Sequence, residues 1–352
     1  MDSVTQATLG AGIAGALMGH RYGRKAILAG AALATLPDLD VLIDYGDPLS
    51  QMINHRGFSH SLFVLTAFSL LLGWLAKRLR LHSDGTEYGR LTLTIWLVLF
   101  THPLLDALTS YGTQLWWPFR PVPTSWSSVF IIDPFYTLPL LCGVLVALVV
   151  GLRPALCRTL RILLLIGAGY LLASLAAKQW AENRVEEMLA QQGREAVAMF
   201  SAAQPFNIIL WRVVAKLEDG NYVEAVTGML DNRDPEYVIF PSNAHLIETL
   251  QPRDKLEGLR WFTGDWLRYD EIEGQLVVSD LRMGIGTGHY SFRFLIAKRD
   301  ADTGEWVGVT PEYWRGATAG RDKDALIQVI KRVWQTDSPL PLAKWDRRMT
   351  QH

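Results

Sequence analysis

Hydrophobic and polar positions are unevenly distributed along the chain, because the long apolar runs are confined to its first half. Segments 61–76, 135–152 and 162–177 contain no charged residue, and a helix needs about 20 largely apolar residues to cross a bilayer. The last four of the six helices predicted in this half are expected to span the membrane. The first two are short and rich in Gly and Ala, and they either span or pack against the others through small residues. The six predicted helices cover 4–19, 26–36, 61–76, 91–109, 135–152 and 162–177.

After residue 178 the pattern changes to short apolar runs separated by polar, Gly-containing segments. The first two predicted strands are joined by a Glu-Asp-Gly-Asn turn, which is typical of a hairpin. A helix is predicted over 322–334 from apolar residues at helical spacing. We therefore predict an α-helical membrane domain (residues 1–178, four to six membrane helices) followed by a smaller soluble α+β domain (residues 179–352). The predicted strands cover 207–217, 222–230, 275–281, 290–298 and 306–309.

Overall composition changes this picture little, since it averages two different halves. The 352 residues are 49% hydrophobic and 20% charged, with a net charge of −1, so no excess of charge indicates a nucleic-acid partner. The linkers between the predicted helices are more informative. Linkers 37–60 and 110–134 contain only Arg56 and Arg120 as basic residues, whereas the other three contain ten. The ten are Arg21, Arg24, Lys25, Lys77, Arg78, Arg80, Arg90, Arg153, Arg158 and Arg161.

Basic linkers remain in the cytoplasm, so this asymmetry predicts a multi-pass protein of the bacterial inner membrane. Its C-terminal domain is then expected on the extracytoplasmic side.

The residues suited to metal or acid–base chemistry all lie at the opposite, outer ends of the predicted spans. Ionisable groups at membrane depth are expensive and are functional by default. These residues are Asp38, Asp40, His55, His60, His102, Asp106 and Asp133.

Imidazoles and carboxylates without thiolates form a ligand set for zinc, manganese or iron rather than for calcium. His102 and Asp106 are four residues apart, which places them on one face of a helix in an arrangement that commonly holds a transition metal. Asp38 and Asp40 follow Pro37, and in an extended segment their side chains would point the same way. Two such carboxylates repel each other unless a cation or a proton lies between them.

Other residues near this set have both a chemical and a structural interpretation. Arg56 either binds a phosphate or transition-state anion or forms a salt bridge with Asp38 or Asp40. His55 is expected in a loop and His60 at the start of the next helix, where Ser59 or Ser61 would serve as the N-cap. Asp133 either caps the fifth helix or acts as a general base.

The first 180 residues resemble the YdjM-like family of membrane-bound metal-dependent hydrolases, which is grouped with zinc-dependent phospholipase C and nuclease-like folds. The resemblance implies that His55, His60, His102 and Asp106, together with Asp38 and Asp40, bind the metal, and it favours phosphoester hydrolysis. It rests on an ordered set of segments rather than on any single motif. They are MDSVTQATLGAGIAG, GRKAILAGAALATLPDLDVLID, NHRGFSHSL, THPLLDALTSYGTQLWWPF and FIIDPFYTLPLL.

The leading hypothesis is therefore a hydrolase that uses a divalent metal, zinc before manganese or iron, to cleave a small-molecule, lipid or lipid-linked phosphoester. Arg56 and Asp133 are its predicted catalytic residues. An ion or metal transporter is a second hypothesis, disfavoured because the inner halves of the spans are nearly all apolar. A third is a non-enzymatic membrane anchor with a structural metal, which predicts a closed coordination sphere.

Overall fold

The computed structural model describes residues 1–79, 85–314 and 323–350. Arg80 of the basic linker and the first residue of the predicted helix 322–334 lie outside the described residues. The chain divides into two compact units, a helical one and a largely β one. The helical unit consists of Met1–Ile43, His55–Trp126 and Ile131–Ser174, and the β unit of Asp44–Asn54, Ser127–Phe130 and Leu175–His352.

The six helices predicted from the apolar pattern are all present. Asp2, Ser61 and Asp133 cap α1, α4 and α6 by accepting hydrogen bonds from backbone amides of the first turn, so Ser61 rather than Ser59 is the cap of α4. Short 3-10 turns at Pro37–Leu42 and Phe58–His60 follow α2 and precede α4. The helices are α1 (Ser3–Tyr22), α2 (Arg24–Ala34), α3 (Pro48–Asn54), α4 (Leu62–Arg78), α5 (Gly85–Ala107), α6 (Pro134–Val150) and α7 (Pro154–Gln191).

Among the described residues, one helix, α7, is long and apolar enough to cross a membrane by length and composition. The bent pair formed by Pro48–His60 and α4 is a second candidate, and α6 is a shorter apolar helix. The 38 residues of α7 include the predicted segment 162–177 and continue without a break to Gln191. The number of four to six spans stays a prediction.

Small residues bring α1 and α2 into direct backbone contact. A Cβ atom placed on Gly30 would lie 2.3 Å from the carbonyl oxygen of Gly10, and one on Gly10 would lie 2.4 Å from that of Gly30. Close approach of this kind is how helices pack when apolar solvent offers no hydrophobic gain. The contact fixes the end of α2, where Ala34 packs in a buried cluster with Ile13 of α1 and Val98 of α5.

The β unit contains two four-stranded antiparallel sheets, each a simple meander in sequence order. The predicted strands correspond to β2, β3, β6, β7 and β8. The sequence pattern missed β1, β4, β5 and the helix α8 (Asp254–Thr263), because strands β4 and β5 alternate poorly and the Ala-rich β1 has a weak strand propensity. The strands are β1 (Ala196–Ala203), β2 (Leu210–Leu217), β3 (Asn221–Gly228), β4 (Glu236–Pro241), β5 (Leu267–Ile272), β6 (Gln275–Asp280), β7 (Arg293–Arg299) and β8 (Trp306–Tyr313).

Helices cover the first sheet. Ala181 and Val185 in the C-terminal part of α7 belong to the same buried cluster as Trp211 and Val213 of β2. The helices α9 (Lys323–Arg332) and α10 (Leu342–Asp346) form another buried cluster with Leu210 and Val226. The helix predicted at 322–334 is thus α9. Buried ion pairs, including Arg212 with Glu224 at 2.6 Å, complete this core.

The glycine contact between α1 and α2 generates a stability prediction. We expect Gly30→Ala to lower the thermal unfolding midpoint in detergent, because the added methyl group collides with backbone, and overpacking costs about 1–3 kcal/mol. Gly169→Ala in α7 is the matched control, since nothing lies within 4 Å of a Cβ at that position. It should leave the midpoint unchanged or raise it slightly through helix propensity. Equal midpoints for the two variants would contradict the packing.

Candidate metal centre

Four side chains from three segments of the helical unit converge at the end of α5. His60 Nε2 and His102 Nε2 lie 3.2 Å apart. Asp106 Oδ2 lies 3.3 Å from both nitrogens, and Asp38 Oδ1 lies 3.5 Å from that of His60 and 3.4 Å from that of His102. Together they form a group of ligand atoms that could hold one metal ion.

The spacing of these atoms matches tetrahedral coordination. Four ligands at about 2.0–2.1 Å from a zinc ion stand about 3.3–3.4 Å from one another at the corners of a regular tetrahedron. Five of the six separations in this group are between 3.2 and 3.5 Å. Two imidazole nitrogens and two carboxylate oxygens are also a donor set that zinc, manganese or iron accepts.

Hydrogen bonds on the far side of each imidazole fix which nitrogen carries the proton. His102 Nδ1 lies 2.7 Å from the carbonyl oxygen of Ala34, which only accepts, so Nδ1 carries the hydrogen. Ser59 Oγ donates to Asp40 Oδ2 at 2.7 Å and therefore accepts from His60 Nδ1 at 2.9 Å. In the neutral tautomer of each ring, Nε2 then has its lone pair directed into the cluster. Metal-binding histidines are commonly oriented by such outer hydrogen bonds.

The two oxygens of Asp106 have opposite environments. Oδ1 accepts hydrogen bonds from Gln6 Nε2 at 3.1 Å and the Met1 amino group, and pairs with Arg56 at 3.2 Å. Oδ2 is buried without a hydrogen-bond partner among the described residues, although it faces the two imidazoles. An unpartnered buried carboxylate oxygen is costly. A cation within the tetrahedron would satisfy it, so the residues present fit a metal ion.

Asp38 is the exposed member of the four. Its side chain is 24% exposed, whereas those of His60, His102 and Asp106 are fully buried. Within the described residues, the contacts of its carboxylate are those to the two imidazoles. The cluster therefore opens to its surroundings at Asp38.

Asp40 and His55 lie outside the group of four. Asp40 accepts hydrogen bonds from the Arg56 amide and the Ser59 hydroxyl and pairs with His55 Nδ1 at 2.9 Å. Burial acts to raise the pKa of Asp40, yet the bonds from His55 and Ser59 outweigh it and hold the pKa below its usual value. The expectation of an extended Asp38–Asp40 segment was wrong, because Pro37 starts a 3-10 turn, a position that its fixed φ suits.

The structure also locates the two predicted catalytic residues. Arg56 is buried with a φ of 60°, and its salt bridge is with Asp106, not with Asp38 or Asp40. Asp133 does not join the cluster: its oxygens accept hydrogen bonds from the amides at the start of α6 and from Tyr170 at 2.8 Å. Burial raises the pKa of Asp133 despite these bonds.

Three supporting residues were not predicted. Gln6 bonds both to Asp106 and to the His102 carbonyl, Ser59 links Asp40 to His60, and Thr109 contacts Arg56 at 3.3 Å. An amide side chain within a Gly/Ala-rich helix was the one signal that pointed to Gln6. The sequence contains no comparable signal for Ser59 or Thr109, because Ser and Thr near helix ends are most simply explained as caps.

We expect His102→Ala and Asp106→Asn each to remove most of the metal from detergent-purified protein, because each deletes one corner of the tetrahedron. Elemental analysis measures the metal content. His245→Ala is the matched control, since His245 lies in the turn Ala244–Ile247 of the β unit. Full metal content in both site variants would exclude the assigned site.

The hydrogen bonds that Ser59 forms with Asp40 and His60 lead to a second prediction. Ser59→Ala removes the acceptor of the His60 Nδ1 proton, and loss of such an outer hydrogen bond weakens metal affinity by about 10–100-fold. Ser69→Ala is the control, because Ser69 is buried in α4 and donates to the carbonyl of Leu65 in its own helix. Competition with a chelator of known affinity measures both variants. Identical affinities would mean that Ser59 does not orient His60.

Comparisons with known proteins identify two relatives and the family of the chain. The chain is 25% identical over 233 residues to a Bacillus subtilis (strain 168) protein, "Uncharacterized protein YfhP", covering 63% of this chain and 67% of that protein. It is 35% identical over 94 residues to the Escherichia coli (strain K12) "Inner membrane protein YbcI", covering 26% of this chain and about half (52%) of that relative. No solved structure matches the chain. The sequence model of the YdjM inner membrane protein family matches residues 1–181, and the chain belongs to this family of inner membrane proteins.

Proposed function

We propose that the protein is a metal-dependent hydrolase of the inner membrane that acts on a phosphoester. The single observation that carries the proposal is the tetrahedral group of His60, His102, Asp38 and Asp106, in which a buried carboxylate oxygen has no hydrogen-bond partner in the described part of the chain. Its exposed edge at Asp38 supports access by a substrate. A bound metal would supply an acidified water and polarise a phosphoryl oxygen.

Arg56 is proposed to hold the anionic oxygens of the substrate. Its guanidinium lies beside Asp106 at 3.2 Å, and its Nε has no hydrogen-bond partner among the described residues. A guanidinium fork suits phosphate oxygens, and burial strengthens its electrostatic interactions. Asp133 stays the predicted general base, although both of its oxygens already accept hydrogen bonds.

Zinc is the proposed metal, with manganese or iron as alternatives, because two nitrogens and two oxygens at tetrahedral spacing suit zinc best. We also propose a multi-pass topology with the basic linkers in the cytoplasm and the C-terminal unit outside it. The unequal distribution of Lys and Arg between alternate linkers supports this orientation.

A structural metal in a non-enzymatic membrane anchor is the second candidate. The observation in its favour is that four protein ligands already complete a tetrahedron, as they do in structural zinc sites. The two candidates differ at Asp38. In a hydrolase, water or substrate would reach the metal beside Asp38 or in its place, whereas a structural site would stay closed by all four ligands.

The test is phosphoester hydrolysis by the full chain in detergent, after elemental analysis has identified its metal. We expect release of phosphate or alcohol from at least one phosphomonoester or phosphodiester, loss of activity on chelation, and recovery when the same metal is restored. His102→Ala should abolish activity, and Arg56→Lys should lower it by about 10- to 100-fold, because it loses the bidentate fork. His245→Ala is the control and should match the starting protein.

Two results would contradict the proposed hydrolase function. Stoichiometric metal that resists chelation, together with no hydrolysis of monoesters or diesters, would leave the structural anchor as the function. Absence of metal even after incubation with zinc, manganese or iron would exclude both candidates.

A further inference from the structure

The two 3-10 turns that carry metal-site residues direct apolar side chains outward. In Pro37–Leu42, Asp38 and Asp40 point into the unit, whereas Leu39, Val41 and Leu42 are exposed, Leu42 to 78%. In Phe58–His60, His60 is fully buried and Phe58 is exposed. The two turns contact each other. An apolar surface therefore surrounds the cluster on the side where Asp38 is accessible.

Aromatic residues extend this surface beyond the second turn. Trp117 packs edge-on against Phe58 with ring centroids 6.3 Å apart, and Phe119 packs against Phe63 at 6.1 Å. Phe119 is 68% exposed, and Trp117 is also exposed. The segment that carries them is fixed to the site, because Ser61 Oγ donates to the Trp117 carbonyl at 2.7 Å.

We propose that this apolar rim, formed by Leu39, Val41, Leu42, Phe58, Trp117 and Phe119, inserts into the headgroup and glycerol region of the membrane. The metal cluster then opens toward lipid rather than toward bulk water. The second part of the inference rests on the proposed hydrolase function: the substrate is an amphiphile that resides in the membrane and presents its phosphoester at headgroup depth.

Lipid is the occupant that the surroundings favour. The rim contains no charged residue, and Trp and Phe are well suited to the boundary between apolar and wet surroundings. It is continuous along the chain with α4, whose Phe63, Leu70, Leu71 and Trp74 are also exposed. A helix that exposes such side chains in an inner membrane protein faces acyl chains. The rim is the end of that lipid-facing surface.

The depth of the rim can be measured with a fluorescent label on single cysteines. Exposed Cys142 and buried Cys157 are first replaced by Ser and Ala. Leu42→Cys and Phe119→Cys then carry an environment-sensitive dye in full-length protein within vesicles of phosphatidylethanolamine and phosphatidylglycerol. Asp302→Cys, in an exposed loop of the β unit, is the control. Elemental analysis of each labelled protein verifies that the metal site is intact.

We expect shallow spin-labelled lipid to quench the dye at 42 and 119 several-fold more than at 302, and aqueous iodide to show the reverse order. Dyes at 42 and 119 that respond to iodide as at 302 would overturn the inference. Dyes shielded from both quenchers would also overturn it, since they would indicate a protein partner or a second copy of this chain on the rim.

The substrate part is tested by comparing two phosphoesters, phosphatidylglycerol in vesicles and water-soluble p-nitrophenyl phosphate. Leu42→Ser/Phe119→Ser should lower the ratio of vesicle to soluble hydrolysis by about tenfold, because two apolar side chains lose their burial in lipid. Trp334→Ser is the control, as Trp334 is similarly exposed at 69% but lies outside the rim.

The two proposals fail in different ways. If Leu42→Ser/Phe119→Ser, Trp334→Ser and the starting protein all give the same ratio of vesicle to soluble hydrolysis, the proposal of a membrane-resident substrate is wrong. The proposed hydrolase function would not be affected by that result. No hydrolysis of either phosphoester would overturn the proposed function, and the quenching data would still decide whether the rim inserts into lipid.

Discussion

The mutual repulsion of four electron-rich atoms inside an apolar helical unit is the constraint on which the rest of the structure depends. Two imidazole lone pairs and two carboxylate oxygens face one another at 3.2–3.5 Å, and a low dielectric strengthens every such interaction. The nearest guanidinium, that of Arg56, is on the outer oxygen of Asp106 and leaves the inner one unpartnered. A cation in the middle converts repulsion into attraction, so metal binding and packing of the helical unit are thermodynamically linked.

The close packing of α1 and α2 positions groups that contact the residues of this cluster. Gly10 and Gly30 allow α1 and α2 to touch through their backbones, and the C-terminal end of α2 then packs at Ala34 against Ile13 of α1 and Val98 of α5. The Ala34 carbonyl, at that end, accepts a hydrogen bond from His102 Nδ1. Gln6 of α1 donates both to Asp106 and to the His102 carbonyl. A Gly/Ala-rich pair of helices with weak hydrophobicity is thus understandable as scaffold for α5, where larger side chains would separate the elements that orient the ligands.

Much of the helical unit could be predicted from the sequence, because uncharged apolar runs and the spacing of His102 and Asp106 are local signals. The conformation around Asp38 and Asp40 could not, since Pro37 is compatible with both an extended segment and the start of a 3-10 turn. That choice decides which carboxylate faces the cluster, and it depends on contacts with segments distant in sequence: Asp38 with His102 and Asp40 with Arg56 and Ser59. In the β unit the pattern missed β1, β4 and β5, each of which is an edge strand of its meander or pairs with the next strand along the chain, because strand propensity depends strongly on the sheet that surrounds the segment.

Hydrolysis would require water or substrate to reach the metal, either beside the four protein ligands or in place of one of them, and the structure distinguishes Asp38 from the other three. His60 and His102 are each held by a hydrogen bond at Nδ1, on the side of the ring away from the cluster. Asp106 is held by the Met1 amino group, Gln6 and Arg56, which all contact Oδ1. Among the described residues, the Asp38 carboxylate contacts the two imidazoles, and its side chain is partly exposed. It also belongs to the short turn from which Leu39 and Leu42 project outward. The same backbone segment therefore carries both the least supported of the four candidate ligands and exposed apolar side chains of the rim, so that contacts made by the rim would act on the residue at which the cluster opens.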